Sequence, residues 1–334
     1  MTIQQMFMGT NSAGGAVFDW GGDRGVFAGG WTQAQGPASQ NIQYMNLAAS
    51  AGGTSSGFGN LALSVGAAYY MGGAMGNSIR ALFVGNSTDS DNTNERRRID
   101  YITTATTGSS SDFGDLQANN GRYAGAGISH NTRGLFGGGF IPNTSQNTID
   151  YRTIANTGTC QDFGNLSDQG RHYVSGCQDN TRGVFSGGYR NPWGTPVPAS
   201  NTMDYVTIMT TGNATDFGDY LSGNFAGRGG VGDTTRGVWL GGYKQAPSTG
   251  RSNQIDYITI ATTGGTTDFG DLTRNVAWGH PMGNETRAMY AGGEEPAYNT
   301  TVDYITIQTT GNASDFGDMS QTRSSGGCGS GTAS

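Results

Sequence analysis

The sequence predicts an all-β fold, and three observations carry this prediction. The 334 residues include 59 glycines. No stretch keeps a helical apolar period over three turns, whereas segments such as IDYITIATT, from Ile255, alternate apolar with polar residues and are rich in β-branched side chains, as half-buried strands are. Three short motifs also return in the same order six times along the chain.

Each repeat contains an arginine before a short apolar run and a glycine pair (Gly85-Asn86 in the second repeat), then an Asp-Tyr segment, then a DFG-like segment. The repeat arginines are Arg24, Arg80, Arg133, Arg182, Arg236 and Arg287. The Asp-Tyr segments begin at Ile42, Ile99, Ile149, Met203, Ile255 and Val302. The closing segments are GFGNL from Gly57 and the DFG segments from Asp112, Asp162, Asp216, Asp268 and Asp315.

Six units of about 53 residues, each with four short strands, are typical of a six-bladed β-propeller with four-stranded blades. We expect one propeller domain over residues 16–334 and an N-terminal docking segment over residues 1–15. The tail RSSGGCGSGTAS, from Arg323, matches the stretch RHYVSGCQDNTRG, from Arg171. We therefore expect the C-terminal tail to be the innermost strand of the first blade, beside Gly25–Gly30, and so to close the ring. Ala16–Asp23 is the alternative strand for that place.

Charge and cysteine content exclude several classes of protein. The formal net charge of −7 disfavours nucleic acid as the main partner. No run approaches the ~18 apolar residues of a membrane span. Three cysteines, Cys160, Cys177 and Cys328, cannot form a disulfide framework, so we expect free buried thiols and a fold that depends on packing.

The repeat text TRGVFSGGY…IDYITIATTG…TDFGDL resembles tandem repeats in virion structural proteins of marine phages, especially cyanophages. The order of its motifs is similar to the kelch repeat, with the Phe of DFG where kelch repeats usually have Trp. The resemblance covers residues 20–334. It implies a kelch-like propeller on the surface of a phage particle. The expected partners are other virion proteins, bound through the N-terminal segment, and further copies of the chain; no cofactor is expected.

We interpret the repeated charged residues as structural residues that stabilise the fold. We expect each repeat arginine to form a bidentate ion pair with the Asp of the Asp-Tyr segment or of the DFG segment. A sixfold ligand site around the axis is the alternative. The first repeat has Gln43 and Gly57 in place of these acids. In DFG, the Phe is expected to pack between blades and the Gly to make a tight turn.

Metal and catalytic sites receive little support from the sequence. The pairs Asp112/Asp115, Asp216/Asp219, Asp268/Asp271 and Asp315/Asp318 could contribute to calcium sites, but two carboxylates three residues apart are far from a complete oxygen shell. His130, His172 and His280 have no readable metal or triad spacing, and we expect them on the surface or in loops.

Binding is expected where the repeats differ, in the connections between the glycine pairs and the Asp-Tyr strands. Aromatic and basic side chains in these loops are candidate anchors for a sugar or a protein. The candidates are Trp31, Arg96, Arg97, Arg98, Tyr189, Arg190, Trp193, Tyr243, Lys244, Arg251 and Tyr298. Ordinary solvated loops are the alternative interpretation.

The function expected from these observations is non-enzymatic. A rigid propeller would display variable loops that bind a virion neighbour or a host-surface glycan. One alternative is a carbohydrate-active enzyme, which needs converging carboxylates from unlike positions in several blades. Another is a purely architectural decoration protein of the capsid or tail. Fold by itself does not decide between these functions.

Overall fold

The computed structural model describes residues 23–32, 39–50, 52–62, 73–84, 97–117, 121–141, 144–190, 199–246, 248–324 and 327–331. Within these ranges the chain forms 34 short strands and no α-helix. The all-β prediction is therefore confirmed.

Six sheets repeat one antiparallel order of four strands, here numbered in chain order, and are called sheets 1 to 6 after their repeat arginines. The first strands are β34 (Gly327–Gly331), β5 (Gly73–Gly76), β9 (Ala126–Ser129), β16 (Ser175–Gln178), β22 (Gly229–Gly232) and β28 (His280–Gly283). The second strands are β1 (Arg24–Ala28), β6 (Arg80–Val84), β10 (Arg133–Gly137), β17 (Arg182–Ser186), β23 (Arg236–Leu240) and β29 (Arg287–Ala291).

The Asp-Tyr and DFG segments complete each sheet. The third strands are β2 (Asn41–Asn46), β7 (Arg98–Thr103), β13 (Thr148–Thr153), β19 (Thr202–Thr207), β26 (Gln254–Thr259) and β32 (Thr301–Thr306). The fourth strands are β4 (Ser56–Asn60), β8 (Ser111–Asp115), β14 (Gln161–Asn165), β20 (Thr215–Asp219), β27 (Thr267–Asp271) and β33 (Ser314–Asp318). A short strand, β3 (Gly53–Thr54), adds to sheet 6 in parallel with β33.

The remaining strands are small ones in and around the loops after the glycine pairs. They are β11 (Phe140–Ile141), β12 (Thr144–Ser145), β15 (Arg171–His172), β18 (Tyr189–Arg190), β21 (Asn224–Ala226), β24 (Tyr243–Ala246), β25 (Gly250–Arg251), β30 (Glu294–Glu295) and β31 (Ala297–Tyr298).

The C-terminal tail supplies the first strand of sheet 1. Gly327–Gly331 pairs antiparallel with Arg24–Ala28, from Ala28 opposite Gly327 to Arg24 opposite Gly331. The expected pairing of the tail is thus confirmed, and strands from the two ends of the chain share one sheet. Of the alternative, Ala16–Asp23, all but the last residue lies outside the described residues.

The first strands contact one another in a fixed order. β34 contacts β5, β5 contacts β9, and the series continues through β16, β22 and β28 back to β34. Apolar clusters fill the space between neighbouring sheets, as predicted for the Phe of DFG: Phe163 of sheet 3 is buried in one cluster with Val206 and Ile208 of sheet 4. Tyr151 meets the Phe163 ring edge-on, with ring centroids 6.0 Å apart.

The glycine of DFG does not make the tight turn expected of it. Gly164 lies inside the fourth strand, beside a shift in register with the third strand, and its φ is 146°. A Cβ on Gly164 would overlap the carbonyl group of Gly212 in sheet 4. Glycine is therefore favoured at this position for two reasons: the backbones of neighbouring sheets approach closely, and φ is positive.

The repeat arginines do not pair with the predicted aspartates. Each guanidinium instead lies over the Tyr ring of its own Asp-Tyr strand, 4.5–5.2 Å from the centroid. It also donates to backbone carbonyls after the third strand of the next sheet; Arg182 Nη1, for example, bonds Ile260 O at 3.3 Å and Ala261 O at 2.8 Å. Arg287 of sheet 6 reaches Leu47 and Ala49 of sheet 1, so the links return to the first repeat.

The aspartates of the Asp-Tyr segments form ion pairs with a second set of arginines instead. Asp100, Asp150, Asp204, Asp256 and Asp303 pair with Arg98, Arg122, Arg171, Arg228 and Arg274 respectively. Arg122 and Asp150 are both fully buried, with Nη1 and Oδ2 2.9 Å apart. In sheet 1, Gln43 replaces the aspartate, and the buried Arg323 bonds only the carbonyls of Gly29 and Asn41, at 3.0 and 2.7 Å. Its Nη2 has no hydrogen-bond partner, and burial lowers the pKa of Arg323 to about 10.

Candidate functional site

The variable loops begin at one end of the sheets, called here the loop end. Each second strand starts at its arginine and, in all sheets but sheet 2, ends just before or within a run of glycines that includes the pair, so the loops emerge away from the arginine links. Glycine is required at the pair, since φ is 61° at Gly187 and 93° at Gly188. The residue after each glycine pair then forms an antiparallel β-bridge with the residue three positions before the first strand of a sheet. The partners are Trp31 with Ser324, Phe140 with Tyr123, Tyr189 with His172, Tyr243 with Ala226, and Glu294 with Ala277.

Four residues at the loop end share a left-handed backbone conformation. Ala124, Tyr173, Gly227 and Trp278 each lie two positions before a first strand, with φ of 58°, 54°, 62° and 57°. Backbone N–H groups link them in order: Tyr173 to Ala124 O at 2.5 Å, Gly227 to Tyr173 O at 3.0 Å, and Trp278 to Gly227 O at 3.0 Å. Positive φ values raise the conformational energy of bulky residues, so Tyr173 and Trp278 hold a strained backbone conformation that the surrounding structure stabilises.

Aromatic rings converge on this backbone. The aromatic platform comprises Tyr173, Tyr189, Tyr243 and Trp278, all half-buried. Trp278 stacks on Tyr243 with ring centroids 5.5 Å apart and meets Tyr173 edge-on at 6.2 Å. Tyr189 also meets Tyr173 edge-on, with centroids 6.2 Å apart. A Cβ on Gly227 would overlap Cδ1 and Nε1 of Trp278, so the indole reaches Tyr173 only because Gly227 has no side chain.

A hairpin in the loop after the glycine pair of the fifth repeat borders the platform. Tyr243 and Arg251 are register partners on β24 and β25, so their side chains lie on the same side of the hairpin. The guanidinium of Arg251 lies 6.0 Å from the Trp278 ring centroid and forms an ion pair with Glu294. These contacts fix the platform from two sheets at once.

A polar cleft lies beside the same hairpin. It has a volume of about 320 Å³, and its lining includes Lys244, Arg251, Asn253, Asp268 and Asp271. This volume is at the lower end of the range of small-ligand sites. Arg251 lines the cleft and also lies beside the Trp278 ring of the platform.

Two of the three histidines are buried, contrary to the prediction. His172 is 3% exposed; its Nδ1 lies 2.8 Å from Ser145 Oγ, and its ring contacts Phe140 and Tyr189. Burial lowers the pKa of His172 to about 4. His280 is fully buried, and burial together with the charge of Arg323 lowers its pKa to about 3. Both rings are therefore neutral packing groups at pH 7.

Both described cysteines behave as predicted. Cys160 and Cys177 are buried and free. Burial raises the pKa of the Cys160 thiol to about 12, so it is protonated and unreactive at neutral pH.

The predicted loop residues divide into three groups. Tyr189, Tyr243 and Arg251 come together at the platform, and Lys244 lines the cleft. The others that the structure describes lie apart from it: Trp31 pairs in sheet 1, Arg97 and Arg98 lie at the start of β7, Arg190 bonds Ser200 and Asp168, and Tyr298 is on β31. Arg96, Trp193 and the N-terminal segment 1–15 lie outside the described residues.

Sequence reasoning missed the two central aromatics, Tyr173 and Trp278. A signal was present in the alignment of the repeats, since the same position holds Ala124 and Gly227 in the neighbouring units. Bulky rings at a position where other repeats have small residues mark a local departure from the scaffold.

Neither a metal cluster nor a membrane helix is found in the described part of the chain. No group of three or more His, Cys, Asp or Glu residues could hold a metal ion there, and no helix there could span a bilayer. No family model matches the sequence, and neither does any curated protein.

Proposed function

We propose that the chain is a six-bladed, kelch-like β-propeller in which the C-terminal strand completes the first blade. Three cyclic series support this proposal. The first strands contact one another in an order that returns to its start. The repeat arginines link each sheet to the next, from Arg24 to Thr104 onward and from Arg287 to Leu47. The DFG glycines abut the next sheet in the same order, with Gly317 meeting Gly53 of the first repeat.

We propose further that this propeller is a non-enzymatic structural protein of a phage virion and displays its loop end to a ligand. The virion setting rests on the resemblance of the repeat text. The display function rests on one observation, the convergence of unlike aromatic residues from sheets 4, 5 and 6 on the loop end. A rigid scaffold that presents such groups loses little ordering entropy on binding.

A carbohydrate-active enzyme is the second candidate, because Asp268 and Asp271 line the cleft. The same two carboxylates recur as Asp112 and Asp115 in sheet 2. Residues that recur with the repeat fit a scaffold role better than a catalytic one, because a catalytic pair needs a special environment at one place.

Two measurements test the proposed function. Cryo-electron microscopy of the intact particle, with this chain located in the map, should place it at the surface with its loop end outward. Incubation with a glycan library, followed by mass spectrometry of the products, should reveal no cleavage. A chain absent from the particle would overturn the virion proposal, and turnover of any glycan would overturn the non-enzymatic one.

A further inference from the structure

We propose that the aromatic platform and the adjoining cleft form one binding site for a neutral saccharide. This inference deepens the proposed display function and rests on it. It assigns the ligand class and the residues: Trp278 and Tyr243 bind the apolar face of a sugar ring, and the cleft of sheet 5 binds its hydroxyl groups.

The platform has the form that a pyranose ring requires. A sugar ring presents C–H bonds on one face and hydroxyl groups around its edge, so it packs on an aromatic surface while its edge forms hydrogen bonds. Trp278 and Tyr243 form a stacked pair, with 21° between their planes, and Tyr173 meets Trp278 edge-on. All three residues are half-buried, so each keeps part of its surface accessible.

The charge balance of the cleft disfavours an anionic ligand. Lys244 and Arg251 bring two positive charges, and Asp268 and Asp271 bring two negative ones. Glu294 further compensates Arg251. With Glu294 counted, these five groups carry a net charge of −1, so a sulfated sugar finds no net positive charge here. Vicinal hydroxyl groups find both donors and acceptors, among them the amide of Asn253.

The backbone at Trp278 is an independent sign of a selected site. The residue keeps φ at 57° although the neighbouring Gly227 supplies the same conformation without strain. The indole Nε1 is buried and has no hydrogen-bond partner. Packing alone does not require a tryptophan at a position where sheet 3 has Ala124, and unusual backbone conformations concentrate at functional sites.

A printed glycan array with neutral, sulfated and uronic-acid oligosaccharides tests the site. The full chain should bind neutral glycans. Trp278→Ala and Asn253→Ala should each weaken binding to the best neutral glycan by about tenfold or more in a titration, as the loss of a binding hot spot does. Tyr298→Ala is the matched control, an aromatic on the same end outside the platform, and should bind as the wild type does.

The outcomes separate this inference from the proposed function. Binding only to charged glycans, or neutral binding that survives Asn253→Ala, overturns the inference and leaves display intact. Absence of any glycan binding, with the chain located in the virion, overturns it in favour of a protein neighbour. If Trp278→Ala lowers the melting temperature so far that the protein unfolds, Asn253→Ala on the exposed cleft decides alone. Cleavage of the bound glycan instead contradicts the proposed function.

Discussion

The repeated contacts between sheets and the loop end of the same sheets follow opposite rules. Between sheets, six arginines make one arrangement six times, each over a Tyr ring and against the carbonyls of the next sheet. At the loop end, equivalent positions carry Ala124, Tyr173, Gly227 and Trp278. Residues that recur with the period form the contacts between sheets, whereas the residues at the loop end differ from repeat to repeat, and the proposed site rests on this division.

The C-terminal strand serves both regions, so its removal should have the largest effect. Deleting residues 323–334 removes β34, which pairs with β1 and contacts β5 and β28. We expect loss of cooperative unfolding, a cost of more than about 5 kcal/mol, which equals the whole stability of a domain at the lower end of the usual range. Calorimetry of the truncated protein measures it, and a chain that ends at Gly331 is the control. An unchanged melting temperature would contradict the closure.

One arginine from each region provides the direct comparison. Arg182→Met removes two charged hydrogen bonds to carbonyls and the contact with Tyr205, so we expect a loss of about 2–3 kcal/mol. Arg251→Met breaks an ion pair whose side chains are about a quarter exposed, so we expect less than about 1 kcal/mol. Urea denaturation measures both. Equal losses of unfolding free energy in the two variants would contradict the distinction between the two regions.

Two glycines of one strand test the close approach of sheets. A Cβ on Gly59 would overlap the carbonyl of Gly108, whereas a Cβ on Gly57 would meet nothing within 4 Å. Gly59→Ala should therefore cost about 1–3 kcal/mol by forcing sheets 1 and 2 apart, and Gly57→Ala should change the urea midpoint little. Similar midpoints for the two variants would show that the sheets adjust without cost.

Acid should weaken the fold through His280. Its pKa is about 3 in the folded chain and about 6.5 when unfolded, so below pH 6.5 the unfolded state takes up a proton that the folded state does not. Stability from this group is complete above pH 6.5 and is lost as pH falls toward 3, by about 2 kcal/mol at pH 5. His280→Ser, with the residue of the equivalent position Ser175, should lose less than the wild type between pH 7.5 and 5. Parallel pH profiles would exclude His280 as the cause.

The smallest effect is expected at the atypical position of sheet 1. Gln43→Asp should give Arg323 the carboxylate that its counterparts have in sheets 3 to 6 and so compensate a buried charge. We expect a gain of about 1 kcal/mol in the free energy of unfolding, measured in urea. Gln43→Asn, of equal length and without charge, should not stabilise. A gain with Asn as well would attribute the effect to side-chain size.

The repeat arginines show where sequence reasoning fails. The sequence shows that these arginines recur and predicts a structural role for them, but the predicted partner, an aspartate, was wrong. Arg182 and Asp204 lie in the same sheet, yet the carboxylate is occupied by Arg171, which arrives from the segment before the first strand. A guanidinium offers five donors, and which acceptors it meets depends on the packing of neighbouring sheets, which spacing along the chain does not encode.

The sequence alone determined the period, the strands and the pairing of the C-terminal tail. The alternation of apolar and polar residues and the recurrence of the motifs can be read directly from the order of the residues. It also located the loops that vary, and Tyr189, Tyr243 and Arg251 among them. Only the tertiary structure decided that these three meet Tyr173 and Trp278, since that meeting depends on a left-handed backbone and on the bare Cα of Gly227. Contacts between distant segments are set by packing in three dimensions, where one missing side chain makes room for a ring from another sheet.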